Sequence, residues 1–145
     1  MTLVVDAAPL VALADEIDPR RHEVAAVLAA ERGDVILSAV VSAEVDYLVG
    51  VRTGRSARIG FLTDLANGRF RVECLLPMEY EMILQLDRQY ADLDVGLADL
   101  SVVVLARRFG TRRILTFDER HFRALRPLDG GAFTLLPADE HPVSG

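Results

Sequence analysis

The chain has 145 residues, 51% of them hydrophobic, enough to close one core and too few for two. All 16 basic residues are arginine, which excludes a Walker-A lysine, a Schiff-base lysine and a lysine reading an acyl phosphate. The net charge of −6 argues against non-specific coating of nucleic acid, and the single cysteine, Cys74, rules out an internal disulfide or thiolate metal cluster and is expected in the core.

Residues 2–5 form a short β-branched run that ends at Asp6, and Pro9 stands where a helix can begin, so the chain opens as strand then helix. Pro19 opens a second helix with Val24, Val27 and Leu28 as its apolar face, and Gly33 stops it before a strand at 35–37. Ser38 can cap the next helix, over about 40–51. Another helix lies within 56–66, and Asn67-Gly68 turns the chain into a strand at 70–75. Pro77 starts an amphipathic helix that runs to about Tyr90. Residues 97–109 are apolar nearly all round, as in a helix packed on several sides, and Gly110 ends it ahead of a strand at 113–116. A last helix covers 119–125, and Gly130-Gly131 precedes an edge strand at 132–136. This alternation predicts a parallel sheet covered on both faces, one domain over 1–136, and a loose polar tail over 137–145. No apolar run reaches the roughly 18 residues of a spanning helix, and no basic residue before Arg20 opens a signal peptide, so a cytoplasmic protein is expected.

Four acids stand out against this plan. Asp6 follows the first strand and Asp118 the strand at 113–116, so in a parallel sheet both leave the carboxyl edge, where open α/β sheets place ligands. At about 100° per residue, Glu44 falls between Val41, Val45 and Leu48 on the face expected to be buried, with Asp46 on the opposite side. Asp99 shares a face with Val102, Val103 and Ala106 near the start of the most apolar helix, where the helix dipole favours a carboxylate. Taken singly, Asp6 and Asp118 can be caps, Asp99 a first-turn acid and Glu44 the partner of an arginine at the core edge. As a converging set they need a cation, because two carboxylates about 5 Å apart at an effective dielectric near 20 repel by roughly 3 kcal/mol. Without one, some must bind protons. An all-oxygen set with no cysteine and no adjacent histidine pair suits Mg²⁺ or Mn²⁺, ions that commonly act on phosphates.

The same residues carry a resemblance. Val4-Val5-Asp6-Ala7-Ala8, Ser42-Ala43-Glu44-Val45, Leu97-Ala98-Asp99-Leu100-Ser101-Val102 and Thr116-Phe117-Asp118-Glu119-Arg120-His121-Phe122 together resemble, in order and spacing, the motifs of PIN-domain ribonucleases. The likeness is to the VapC-type toxins of bacterial toxin–antitoxin pairs in particular. It implies a three-layer α/β/α sandwich with strand order 3-2-1-4-5 and metal-dependent endonucleolytic cleavage of RNA. It further implies Asp6 and Asp99 as principal metal ligands, Asp118 completing the site and Glu44 positioning water or a second ion. Water activated by the metal would then attack phosphorus in line, leaving 5′-phosphate and 3′-hydroxyl ends. The implied partners are RNA and a VapB-type antitoxin lying over the first helices, and a homodimer is expected. The family often carries Thr or Ser just after the first Asp, where this chain has Ala7 and Ala8, so a hydroxyl bond to that acid is expected to be missing.

Beside Asp118, Thr116 and His121 can bond a ligand or the substrate, or be a turn hydroxyl and a surface histidine. Arg112 and Arg120 can contact the RNA backbone through their planar forks, or be solvated. Two rival functions remain at this stage. One is a Mg²⁺-dependent phosphatase or phosphotransferase of another α/β class, disfavoured by Ala8 where a second Asp is usual and by the missing lysine. The other is a catalytically silent PIN-like domain that only binds RNA or protein.

Overall fold

The computed structural model describes residues 1–140. Its elements run β1 (Leu3–Val5), α1 (Ala7–Ala14), α2 (Arg21–Ala30), β2 (Val35–Ser38), α3 (Ala39–Arg52), α4 (Arg55–Ala66), β3 (Arg71–Glu73), α5 (Pro77–Gln89), α6 (Leu97–Arg108), β4 (Arg113–Leu115), α7 (Glu119–Ala124) and β5 (Thr134–Leu136). Each lies within a residue or two of the segment its periodicity predicts, with a single 3-10 turn at Ala91–Leu93 that the sequence pattern did not signal. All four strand pairings are parallel and the order is β3-β2-β1-β4-β5, giving the expected α/β/α sandwich.

The strands are short and almost wholly apolar because helices cover both faces; Leu3, Val4, Val5, Ile36, Leu37, Ile114 and Leu115 have no exposed surface. In α6 every residue from Leu100 to Ala106 is buried, which accounts for its all-round apolar sequence. Gly110, at φ 62, ends that helix: its N–H bonds the Arg107 carbonyl and the Thr111 N–H the Ala106 carbonyl, a Schellman closure needing a left-handed residue there.

On α5 the buried residues Glu79, Ile83 and Leu86 fall on one stripe, and Glu79 is a carboxylate in a core position. Arg108 answers it from α6, donating to both Glu79 oxygens, to Glu73 and to the Cys74 carbonyl. Cys74 is exposed rather than in the core as expected, since it follows β3, the edge strand of the sheet, whose Arg71 and Val72 are exposed too. Among the described residues no helix is long and apolar enough to cross a membrane. At the start of the segment expected to be loose, residues 137–140 make a turn in which Asp139 accepts from the Leu135 N–H and from Arg123; residues 141–145 lie outside the described part.

Candidate active site

β1 is followed by β2 on one side of the sheet and flanked by β4 on the other, so the chain reverses its direction of winding at the β1/β4 boundary. A crevice opens at the carboxyl ends of strands at such a point. The register pairs Val5 with Leu115, and the residues that follow them are Asp6 and Thr116. Thr116 Oγ donates to Asp6 Oδ2 at 2.8 Å, so Asp6 does have a hydroxyl partner; it comes from β4, not from the residues after the acid. The same Thr116 oxygen accepts the Asp118 N–H at 2.9 Å, fixing the turn that carries the fourth acid.

Asp6 stands at the N-cap of α1 without capping it by a full side-chain hydrogen bond, and it is 7% exposed. Burial pushes its carboxyl up to about 6; Thr116 and the nearby Ala7 N–H oppose this, while the charges of Asp99 and Glu44 add to it. Asp99, half-buried in the first turn of α6, is also raised, first by burial and then by the charge of Asp118, despite a bond from the Gly96 N–H at 3.3 Å. Asp6, Glu44, Asp99 and Asp118 are therefore brought to one electrostatic neighbourhood from α3, α6 and the two sheet-edge turns. No ion pair among the described residues engages Asp6, Glu44 or Asp99.

Glu44 differs from its helical-wheel placement: it is exposed, while Val41 and Val45 are fully buried. The buried stripe of α3 is Val41, Val45 and Val49, each without exposed surface, and Glu44 lies beside that stripe rather than on it, so its side chain meets solvent. The predicted opposite side is held by Asp46, whose Oδ1 lies 2.7 Å from Arg58 Nε. Asp118 caps α7 by accepting the His121 N–H at 3.0 Å, and His121 Nδ1 lies 2.7 Å from its other oxygen. A carboxylate only accepts, so Nδ1 carries a proton toward Asp118. Asp118 thus caps α7 while its charge also acts on Asp99.

Arg120 is exposed in the first turn of α7, on the same edge as Asp118. Arg112 is not at the site. It precedes β4, at the amino edge of the sheet, where Asp129 lies 3.8 Å away and Gly131 packs against its guanidinium. Closeness in sequence to Asp118 misleads here because the intervening strand spans about 3.3 Å per residue across the sheet.

Two features were missed in the sequence. Ser101, alone among the apolar residues of α6, donates to the Ala98 carbonyl and shares a fully buried bond of 2.9 Å with Ser38 at the end of β2. A serine inside so apolar a run was the available signal. Arg20 places its guanidinium carbon 4.2 Å from the Phe117 ring centre, beside the site, and nothing in the local pattern links residues so far apart.

Among the described residues, no three histidine, cysteine, aspartate or glutamate side chains stand as ready-made ligands of one ion. Asp99 and Asp118 instead spend oxygens on Gly96 and His121, as mutually repelling carboxylates do when main-chain and imidazole donors are in reach.

The PIN domain family model matches residues 3–126. The chain is 38% identical over 135 residues to Ribonuclease VapC26 of Mycobacterium tuberculosis (strain ATCC 25618 / H37Rv), a match covering 93% of this chain and 100% of that one. In structure it is similar to the M. tuberculosis toxin VapC20, described as sarcin-ricin loop cleaving, with a TM-score of 0.75, 20% identity, and 81% of this chain and 91% of that chain covered. At that identity the second likeness bears on the fold alone.

Proposed function

Because the chain belongs to the PIN domain family and, within it, to the VapC type, we propose that it is a Mg²⁺-dependent endoribonuclease acting as the toxin of a toxin–antitoxin pair. The observation that carries this reading is Asp6: a buried carboxylate with no cationic partner among the described residues, within reach of the charges of Asp99 and Glu44, at the point where the sheet opens a crevice. A buried acid of that kind needs either a proton or a cation. The donor set fits a hard divalent ion, being all carboxylate with no thiolate, and Mn²⁺ would substitute for Mg²⁺.

Asp6 and Asp99 would be the principal ligands, with Asp118 completing the site. A bound ion would neutralise the scissile phosphate and acidify an attacking water. Thr116 holds Asp6 in one rotamer, since rotation of the carboxylate breaks the 2.8 Å bond. Exclusion of bulk water around Asp6 lets its charge act in a low dielectric. Glu44, exposed at the rim, is the carboxylate able to orient an entering water and accept its proton. His121 is held on Asp118 through Nδ1, which fixes the orientation of its ring beside the site.

A VapB-type antitoxin would be the protein partner. A groove of about 610 Å³ between α1, α2 and α4, walled by Leu10, Leu13, Phe61 and Phe70, supports a segment lying over the first helices. A homodimer and a cytoplasmic setting complete the proposal.

The test is cleavage of structured and unstructured RNAs in Mg²⁺, Mn²⁺ or EDTA. Cleavage should need the ion, leave 5′-phosphate and 3′-hydroxyl ends, and vanish in Asp6→Asn and Asp99→Asn. Inertness toward every RNA with both ions, or terminal 2′,3′-cyclic phosphate, would defeat the proposal.

A further inference from the structure

A second cavity, of about 370 Å³, adjoins the carboxylate crevice and is lined by Arg20, Glu23, Thr116, Phe117, Glu119 and the turn at Pro137. Thr116 belongs to both, since it lines this cavity and its hydroxyl holds Asp6, so the cavity and the first carboxylate share a wall. Its size falls in the range of small-ligand sites, large enough for one nucleotide.

The wall is prepared in advance. Arg20 is gripped by Asp18 through Nε at 3.2 Å and a terminal nitrogen at 3.1 Å, while Asp18 also accepts the Arg20 N–H at 2.8 Å. The guanidinium so fixed sits 4.2 Å from the centre of the Phe117 ring, and half of the Arg20 side chain remains exposed. Single-stranded nucleic acids are held by such flat surfaces, because every base has a π-face to lay on an aromatic ring or a guanidinium plane. The other polar groups of the cavity are the carboxylates of Glu23 and Glu119, the latter shared with Arg123 at 3.0 Å. Both carboxylates only accept hydrogen bonds, while Asp18 takes up two of the five side-chain N–H donors of Arg20. The two carboxylates therefore suit a base that donates from an exocyclic amino group.

We infer that this cavity is the subsite for the nucleotide flanking the scissile phosphate, with its base on the Arg20–Phe117 platform and an exocyclic amino group donating to Glu23, so that uracil is disfavoured. The inference rests on the ribonuclease reading and adds to it which residues select the flanking base. The carboxylates hold the reacting phosphate; Arg20, Phe117 and Glu23 choose its neighbour.

The probe is a set of single-stranded pentaribonucleotides containing 2-aminopurine, uracil or an abasic site at the central position, bound to the full chain in EDTA so that no cleavage occurs. Saturable quenching of 2-aminopurine fluorescence is expected, as stacking requires. Phe117→Leu and Arg20→Ala should each weaken that oligonucleotide about tenfold while leaving the abasic one unchanged. Glu23→Gln, an exposed change that leaves the fold intact, should narrow the preference for 2-aminopurine over uracil. Unchanged melting and unchanged Mn²⁺ stabilisation of the variants verify that the carboxylate site is whole. Absence of quenching overturns the inference, as does equal weakening of all three oligonucleotides by Arg20→Ala, which would mean that Arg20 holds phosphate. RNA cleavage that is metal-dependent but indifferent to all three variants would overturn the subsite and leave the nuclease standing; quenching as described in a protein that cuts no RNA would defeat the nuclease and not the base-binding cavity.

Discussion

Thr116, after β4, donates a 2.8 Å hydrogen bond to Asp6, after β1, across the one place where neighbouring strands open a crevice. Removing that hydroxyl with Thr116→Val should move the Asp6 carboxyl upward from about 6, because the bond favours the charged form. Carbon-detected NMR titration of the metal-free protein reads the midpoint directly. RNA cleavage at pH 7 should fall about ten- to hundredfold, recover in part at higher pH, and be largely retained in Thr116→Ser. An unmoved midpoint would show that the bond has no hold on Asp6.

Asp6 also sets a pH dependence of stability whose sign is the reverse of the usual carboxylate case. Its folded value, about 6, lies above the ordinary 3.8, so the folded chain binds the extra proton between them and stability from this group declines as pH rises through that window. At pH 7.5 without metal the charged, buried Asp6 should cost about 2–3 kcal/mol, and at pH 3.5 almost nothing. Asp6→Asn should accordingly stabilise the metal-free protein at pH 7.5 and lose that advantage in acid. Denaturant melts in EDTA at the two pH values decide it; a difference independent of pH contradicts the assignment.

Divalent ions should reverse this penalty. Millimolar Mn²⁺ or Mg²⁺ is expected to raise the Tm of the wild-type chain at pH 7.5, much less at pH 5 where Asp6 holds a proton, and hardly at all in Asp6→Asn or Asp99→Asn. Thermal melts with and without EDTA measure this apart from any cleavage assay. Equal stabilisation of wild type and both variants would place the ion elsewhere.

Arg108 and Glu79 make the comparable test for the scaffold. Glu79 is 5% exposed and is held below the usual glutamate range by its bond from Arg108. Arg108→Met strands that carboxylate and should lower stability by about 2–4 kcal/mol at neutral pH. The wild-type contribution is present above the ordinary glutamate value and is lost as pH falls through the depressed one, so the two proteins should converge in acid. The double variant Glu79→Leu, Arg108→Met should regain most of the loss, as urea denaturation would report.

The order of strands and helices was legible because helix and strand periods, proline starts and glycine stops act over a few residues at a time. The four acids were legible for the same reason: a polar group at an apolar position, or just past a strand, breaks a local pattern. Strand order came from the resemblance, not from any period. Glu44 shows the limit of local reasoning: its angle placed it on the buried face of α3, but the buried stripe narrows to Val41, Val45 and Val49 and leaves Glu44 exposed beside it. Cys74 and Arg112 show it too, one following the edge strand β3 and the other placed at the far edge of the sheet, ahead of β4.

By itself, then, the sequence determined which residues carry charge at the sheet edge and, through the missing lysines and lone cysteine, which chemistries are closed to it. Only the tertiary structure decided that Thr116 rather than a neighbour of Asp6 supplies its hydroxyl, that Glu44 stands at the rim, and that Arg20 lies on Phe117. These pairings join residues from distant elements, and they depend on the parallel register of β1 with β4 and on how helices pack over it. No window of a few residues contains that information, because it is set by the burial of the whole core at once.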